Sequence, residues 1–215
     1  RDRSPSRGLG DVYKRQVKFF APGEEDKPME LLGKSPKDIR DAGVHLSFVP
    51  EDRLGMGLVG TMGMTDNMML KSYGEGHSPL LDHRAPRELA EKIRKELGVV
   101  TPGLNTPVSR LSGGNVQKVL VGRELAASPI VLMTAYAVRG LDINTSYTIY
   151  NLLNEQKEKG VAVIYVGEDL DVLLELCDRI LVLCGGKANG VLDARTTTKE
   201  EVGLRMTNLV QKEGE

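Results

Sequence analysis

The segment Ser112–Asn115, a serine followed by two glycines and an asparagine, is the part of this sequence best suited to bind a ligand. It stands directly before apolar residues at helical spacing, so it would form the first turn of a helix. The Ser112 hydroxyl can cap that turn, and the glycines let backbone N–H groups approach a phosphate without interference from a Cβ atom. Leu111 and Val116 occupy the two positions of a hydrophobic staple. The pattern predicts an anion-binding helix N-terminus, although an ordinary helix after a Ser-Gly-Gly turn carries the same local signals.

The elements that would position this segment alternate between helix and strand. Helical spacing and stop signals predict helices over about Arg84–Gly98, Ser112–Ser128, Asn144–Lys159 and Asp169–Cys177. Short apolar runs predict a buried strand at Ile130–Met133 and two further strands at Val161–Val166 and Arg179–Cys184. Asn189-Gly190 is typical of a primed hairpin turn. Strands separated by helices predict an α/β fold with a mostly parallel sheet.

The bulk composition favours an ordinary globular domain. The chain has 215 residues, of which 40% are hydrophobic and 27% charged, and its formal net charge is −1. Such a charge gives no general attraction to nucleic acid or to an anionic membrane. No apolar run approaches the roughly 18–20 residues that span a bilayer. Cys177 and Cys184 cannot form a disulfide framework, and the three histidines lack ligand spacing, so we expect no metal site.

Four motifs, in order along the chain, resemble those of ABC-transporter ATPases. The string LSGGNVQK at 111–118 resembles the signature loop, and more narrowly the LSGGNQQK form of simple-sugar and nucleoside importers. The other three are Phe48–Arg53, similar to the VPEDR segment at the Q-loop, Arg139–Asp142, similar to the D-loop after a Walker B strand, and Val163–Ile180, similar to the switch region. The resemblance covers about residues 29–208. It implies a P-loop NTPase-like α/β cassette core with an inserted helical subdomain.

A Walker A loop is absent from the sequence. Gly33-Lys34-Ser35 has the last three residues of GxxxxGK[ST], but the position of the first glycine holds Pro28. The glycine-rich strand-loop-helix context is missing as well. In the family, this segment resembles the strand-hairpin region that follows the Walker A helix, so we expect the true loop, and the N-terminal part of the core, upstream of this sequence.

The catalytic positions of the family are substituted in this chain. The Walker B Asp-Glu pair is replaced by Ala135 and Tyr136, the switch histidine by Glu168 and the Q-loop glutamine by Glu51. Alanine has no ligand atom for Mg²⁺, and a phenol with an ordinary pKa of about 10 cannot act as a base near pH 7. The charge of Glu168 would repel a γ-phosphate. We therefore expect no intact catalytic residue and no hydrolysis in the chain's own site.

The retained signature loop implies a role in a partner's site. ABC cassettes work as head-to-tail pairs, with each nucleotide between one cassette's Walker motifs and the other's signature loop. The expected nucleotide-binding residues are Ser112, Gly113, Gly114, Asn115, Gln117, Asp142 and Glu51. Of these, Ser112–Asn115 would bind the γ-phosphate of ATP that the partner cassette holds together with its Mg²⁺, and Leu141-Asp142 would line the D-loop across the interface.

The resemblance also implies where the chain works. It would be the second, C-terminal cassette of a polypeptide whose first cassette has working Walker motifs. The pair would bind membrane permease subunits at the cytoplasmic face of the cell membrane and drive uptake of a nucleoside or simple sugar delivered by a solute-binding protein. No nucleic-acid partner is expected.

The expected domain order begins with a segment that is set aside. Residues 1–16 are basic, follow no periodic pattern and resemble translated adapter sequence, so we treat them as a non-native leader. Residues 17–53 would be a remnant of the cassette core with the Q-loop region, and 54–110 the helical subdomain. Residues 111–210 would be the core with the signature motif, degenerate Walker B, D-loop and switch region, followed by a tail at 211–215.

Two other functions remain open at this stage. One is a soluble ABC protein of a non-transport type, acting on ribosomes or DNA, but such proteins usually depend on Walker B carboxylates in both halves. The other is a regulatory module without ATP contact, which would not need an intact signature loop. A cluster of methionines has two interpretations as well, as ordinary subdomain core or surface, or as a groove for a permease helix. Its members are Met56, Met62, Met64, Met68 and Met69.

Overall fold

The computed structural model describes residues 16–21, 26–73 and 81–207, and the chain forms two units, residues 1–46 and 47–215. In the first unit, β1 (Lys18–Phe19) pairs antiparallel with β2 (Met29–Glu30), and α1 spans Pro36–Asp41. Ser35 begins α1 as part of a capping box with Asp38, so the hydroxyl of the Walker-like GKS string is used as a helix cap. Residues 1–15 of the expected leader and the expected tail lie outside the described residues.

The second unit is organised around a three-stranded sheet of order β3–β4–β5. The strands are β3 (Leu46–Val49), β4 (Val131–Ala135) and β5 (Ala162–Val166). β4 and β5 are parallel and in register from Val131 opposite Ala162 to Ala135 opposite Val166. The helix between them, α5 (Ile143–Glu158), completes a βαβ unit. The predicted helix, strands and parallel pairing are confirmed here to within a few residues.

Residues 54–110 contain helices and no strand wherever the structure describes them. A single π-helical turn covers Arg53–Gly57, followed by α2 (Met64–Ser72), α3 (Arg84–Glu96) and a 3₁₀ turn at Val108–Arg110. Met64 and Met68 are 0% and 1% exposed and belong to the main hydrophobic core, whereas Met56 is 72% exposed. The methionine cluster is therefore partly subdomain core. The boundaries of the helical subdomain at residues 54 and 110 stay a prediction.

A buried charge network fixes α4 (Gly113–Ala126) against its neighbours. Glu124, 1% exposed, accepts hydrogen bonds from Arg123 Nε and Nη2 (3.0 and 2.8 Å), Lys71 Nζ (2.9 Å) and the Phe48 backbone N–H (3.3 Å). Arg123 also donates to the Gly57 carbonyl at 2.7 Å. Because a buried carboxylate is stable only with such partners, the network ties α4 to α2, β3 and the π-helical turn.

The C-terminal part forms a second, smaller core. It contains α6 (Leu170–Leu176), β6 (Arg179–Cys184), β7 (Lys187–Asp193) and α7 (Lys199–Met206). β6 and β7 form an antiparallel ribbon of their own, separate from the three-stranded sheet. In the part of the chain that the structure describes, no helix is long and apolar enough to cross a membrane.

The predicted hairpin turn at Asn189-Gly190 is wrong. The turn is formed by Gly185 and Gly186, both at positive φ (56° and 75°), and Asn189-Gly190 lies inside β7. There, Asn189 Nδ2 donates to the Arg205 carbonyl at 2.8 Å, and Arg205 Nη1 donates to the Asn189 carbonyl at 3.1 Å. The pair thus attaches α7 to the ribbon, which a local turn signal does not reveal.

Candidate functional site

The N-terminus of α4 is a capped and anchored turn. Ser112 is the N-cap, with extended backbone, and its Oγ accepts from the Asn115 backbone N–H (3.4 Å) and from Asn115 Nδ2 (2.9 Å). Asn115 Oδ1 in turn accepts from the Val100 backbone N–H at 2.9 Å. Ser112 and Gly113 are exposed, while Gly114 and Asn115 are half-buried. The first-turn N–H groups of Gly113 and Gly114 have no acceptor within the helix, which is the arrangement that binds anions.

The two glycines of this turn have different surroundings. A Cβ atom on Gly113 would lie 3.5 Å from Arg53 Nη1, an ordinary contact. A Cβ atom on Gly114 would lie 3.2 Å from Thr145 Oγ1 and 3.6 Å from Asp142 Oδ2. The second glycine therefore lies at the close approach of α4 to the start of α5, where an added Cβ would require Thr145 to shift by a few tenths of an ångström, whereas the first keeps the surface of the turn open.

Asp142 caps α5 beside this turn. Its Oδ1 accepts from the Thr145 backbone N–H at 2.9 Å and its Oδ2 from the Thr145 hydroxyl at 2.8 Å. These bonds, the backbone one first, lower the pKa of Asp142 below its usual 3.8. The predicted signature and D-loop residues therefore lie side by side, with the Asp142 carboxylate occupied by helix capping.

Gln117 is placed inside the protein rather than at the surface of the turn. Its side chain is 0% exposed, and its Oε1 accepts from Arg53 Nε at 2.8 Å. Arg53 Nη2 also donates to the Arg139 carbonyl at 2.5 Å. Burial lowers the pKa of Arg53, and the charge of Glu51 opposes that effect. Sequence reasoning did not identify Arg53 as a functional residue.

The substituted catalytic positions meet around one arginine. Ala135 ends β4, and Tyr136 follows at φ 51°, with its backbone N–H bonded to the Val166 carbonyl at 2.9 Å. Arg139 Nη1 donates to Glu51 Oε1 at 2.6 Å, and its guanidinium lies 5.6 Å from the Tyr136 ring centroid. Glu51 first, and Glu168 more weakly, raise the pKa of Arg139. In the sequence, the opposite charges of Glu51 and Arg139 are the one signal that could have indicated their pairing.

These residues do not fit a Mg²⁺ ion. Ala135 has only a methyl group, and the Glu51 carboxylate is already paired with the Arg139 guanidinium, whose positive charge would repel a divalent cation. Among the described residues, no group of three or more His, Cys, Asp or Glu side chains is arranged to hold a metal. The α4 turn, with its free N–H donors and the Ser112 hydroxyl, has the donor set that phosphate requires.

A groove of about 400 Å³ connects the α4 turn to the Glu51 segment. It is lined by Glu51, Asp52, Arg53, Leu54, Leu111, Gly113 and Val116. The backbone of Glu51–Leu54 thus forms one wall and the signature turn the other. The structure thus places Glu51 and Gly113 at the same groove, and their predicted contact with a nucleotide stays a prediction.

Curated relatives match most of the chain. It is 36% identical over 186 residues to the xylose import ATP-binding protein of Moorella thermoacetica, covering 84% of this chain and 36% of the relative. It is 37% identical over 158 residues to the ribose import ATP-binding protein of Corynebacterium glutamicum (73% and 30%), and 34% identical over 187 residues to the guanosine import ATP-binding protein of Bacillus subtilis (86% and 36%). The chain spans about a third of the length of these relatives. No family model matches it.

Solved structures share the fold at low sequence identity. A dimeric, post-hydrolysis ATP-binding cassette, MJ0796 bound to ADP and Pi, superposes with a TM-score of 0.65 at 21% identity, over 80% of this chain and 77% of that one. The cassette cbiO1 of Clostridium perfringens, part of an ABC transporter complex, gives 0.60 at 21% identity, over 85% and 72%. The predicted α/β cassette fold is confirmed by this likeness.

Proposed function

Because this chain belongs to the family of ATP-binding subunits of simple-sugar and nucleoside importers, we propose that it contributes its signature loop to the ATP site of a partner cassette. Its own site does not hydrolyse ATP. The partner is the first cassette of the same polypeptide, and it holds ATP and Mg²⁺ with its own Walker motifs. The pair acts on membrane permease subunits at the cytoplasmic face and drives uptake of a nucleoside or simple sugar brought by a solute-binding protein.

The contrast between the chain's two nucleotide-facing regions carries this proposal. The α4 turn keeps exposed N–H donors, the capping Ser112 hydroxyl and the close-packed Gly114. The other region has a methyl group at Ala135, a phenol at Tyr136 and an Arg139–Glu51 ion pair in place of a metal-binding and water-activating set. One region can bind a phosphate, and the other has no carboxylate at positions 135 and 136, where the family holds Mg²⁺ and activates water.

The magnitudes fit an asymmetric pair. Loss of one preorganised transition-state contact commonly reduces the rate by about 10²–10³-fold, and several such contacts are absent from this chain's site. A helix N-terminus, by contrast, still stabilises a developing anion through its dipole and N–H groups. ATP binding between the cassettes would then close the pair and shift the permease between its access states.

The proposal is tested by measuring ATP hydrolysis by this chain alone and together with the first cassette. We expect no hydrolysis alone, hydrolysis in the pair, and loss of the paired activity with Ser112→Arg, because the longer side chain fills the phosphate position. Asn154→Arg is the matched control, since it adds the same charge at an exposed position on α5, far from the turn. Robust hydrolysis by this chain alone, or equal paired activity in Ser112→Arg and Asn154→Arg, would overturn the proposal.

A further inference from the structure

One half-buried arginine joins three segments next to the signature turn. Arg53 donates through Nε to Gln117 Oε1 on α4 (2.8 Å) and through Nη2 to the carbonyl of Arg139, in the turn after β4 (2.5 Å). Its Nη1 has no hydrogen-bond partner among the described residues and lies near Gly113. The guanidinium is planar and rigid, so these two bonds fix its position relative to both segments.

A second hydrogen bond joins the same two segments, with donor and acceptor exchanged. Arg139 Nη1 donates to Glu51 Oε1 at 2.6 Å, so each segment donates one bond to the other and accepts one from it. We call Glu51, Arg53, Gln117 and Arg139 the arginine clasp. The clasp links the segment after β3, the first turns of α4 and the turn after β4.

The hydrogen bonding of Gln117 indicates that this residue does more than pack in the interior. The side chain is completely buried, yet its Nε2 has no partner in the part of the chain that the structure describes. Burying an unpaired amide N–H opposes folding, and an apolar residue of the same size would avoid that cost. What the amide contributes is the carbonyl oxygen that receives Arg53 Nε.

We infer that Arg53 is a positioning residue for the signature loop, holding the first turn of α4 in one orientation against the turn after β4. It acts through Gln117 and the Arg139 carbonyl, without touching the nucleotide. The N–H groups of Gly113 and Gly114 therefore keep their direction without any ligand in the chain's own site. This inference rests on the proposed donation of the signature loop to a partner cassette.

Hydrogen exchange of the free chain tests the positioning directly. We expect Arg53→Gln and Gln117→Leu to accelerate exchange of the Asn115 and Val116 amides, which are bonded to Ser112 Oγ (3.4 Å) and to the Ser112 carbonyl (2.9 Å), to a similar extent. Amides of β5 should stay unchanged. Arg53→Lys should resemble Arg53→Gln, because one ammonium group cannot reproduce the fork that reaches both carbonyl oxygens. The double variant Arg53→Gln/Gln117→Leu should add nothing to either single change. Arg110→Gln, which removes an exposed positive charge near Ser112, is the matched control.

Kinetics of the assembled pair give the second readout. Misplaced N–H groups should lower kcat on the order of 10- to 100-fold in the Arg53 and Gln117 variants. The KM for ATP should stay nearly constant, because the partner's Walker motifs hold the nucleotide in the ground state. Circular dichroism and unfolding midpoints check that each variant folds. If Arg53→Gln does not fold, Arg53→Lys and Gln117→Leu still test the inference.

The outcomes separate this inference from the proposed function. If Ser112→Arg abolishes paired hydrolysis while the Arg53 and Gln117 variants change neither exchange nor kcat, the clasp is refuted and signature donation stands. If Arg53→Gln lowers paired activity but Gln117→Leu does not, Arg53 acts directly on the phosphate and the positioning role is refuted. If the exchange effects occur as expected but Ser112→Arg leaves paired activity unchanged, the clasp positions the turn and the proposed function is the part that fails.

Discussion

Removing the Glu124 carboxylate alone should destabilise the second unit more than removing both Glu124 and its buried partner Arg123. Glu124 is 1% exposed and pairs with Arg123, which is only 7% exposed. In Glu124→Ala, Arg123 would keep its bond to the Gly57 carbonyl but lose its counter-charge. Lys71, whose side chain is 43% exposed, can turn to solvent and should contribute little to the loss.

The expected loss for Glu124→Ala is about 3–5 kcal/mol, the range for leaving a buried charge without its partner. A domain of this kind has a total stability of roughly 5–15 kcal/mol, so the variant would be close to unfolding at ordinary temperature. In Arg123→Met/Glu124→Leu, both charges are replaced by apolar groups of similar volume. That double variant should lose about 2 kcal/mol less than Glu124→Ala, because no buried charge is left unpaired.

Urea unfolding followed by circular dichroism measures these differences, with Lys71→Met as the control that keeps the buried pair. Equal losses in Glu124→Ala and Arg123→Met/Glu124→Leu would refute the reasoning, because they would mean that the unpaired charge has no cost of its own. A loss below about 1 kcal/mol in Glu124→Ala would contradict the burial of the network itself.

Two further predictions concern single contacts. Gly122→Ala places a Cβ atom 2.7 Å from Ile93 Cγ2, so an overpacking cost of about 2 kcal/mol should exceed the helix-propensity gain of about 1 kcal/mol and lower the urea midpoint. In Gly203→Ala the new Cβ atom meets no atom within 4 Å, so the propensity gain should raise the urea midpoint. The lowered pKa of Asp142 contributes stability that is present above the pKa of this carboxyl in the unfolded chain and is lost as the pH falls through its pKa in the folded protein. Thr145→Val removes the hydroxyl bond to Asp142, so it should reduce the difference in urea midpoint between neutral pH and about pH 3. An unchanged difference would contradict this.

The helix starts could be predicted from the sequence because they depend on neighbouring residues. Ser112 and Asp142 cap α4 and α5 through bonds that reach only three residues ahead. Short apolar runs likewise predicted β4 and β5, which are parallel neighbours in the sheet. The α/β fold and the position of the signature turn were accessible for the same reason.

The arginine clasp and the C-terminal ribbon could not be predicted in this way. Arg53 and Gln117 are 64 residues apart, and Arg139 and Glu51 are 88 apart, so their pairing depends on the completed packing. The turn signal at Asn189-Gly190 was overridden because Arg205 binds that strand from α7. Long-range partners, rather than weak local preferences, account for both differences.

In the proposed function, Ser112–Asn115 contacts the γ-phosphate of ATP held by a partner cassette. The most direct measurement is photocleavage of the assembled pair trapped with orthovanadate, which replaces the γ-phosphate and cuts the backbone it touches. We expect cleavage of this chain within the Ser112–Asn115 turn, dependent on ATP and abolished by Ser112→Arg. An uncut chain in a pair that traps vanadate, or cleavage confined to other segments, would contradict it.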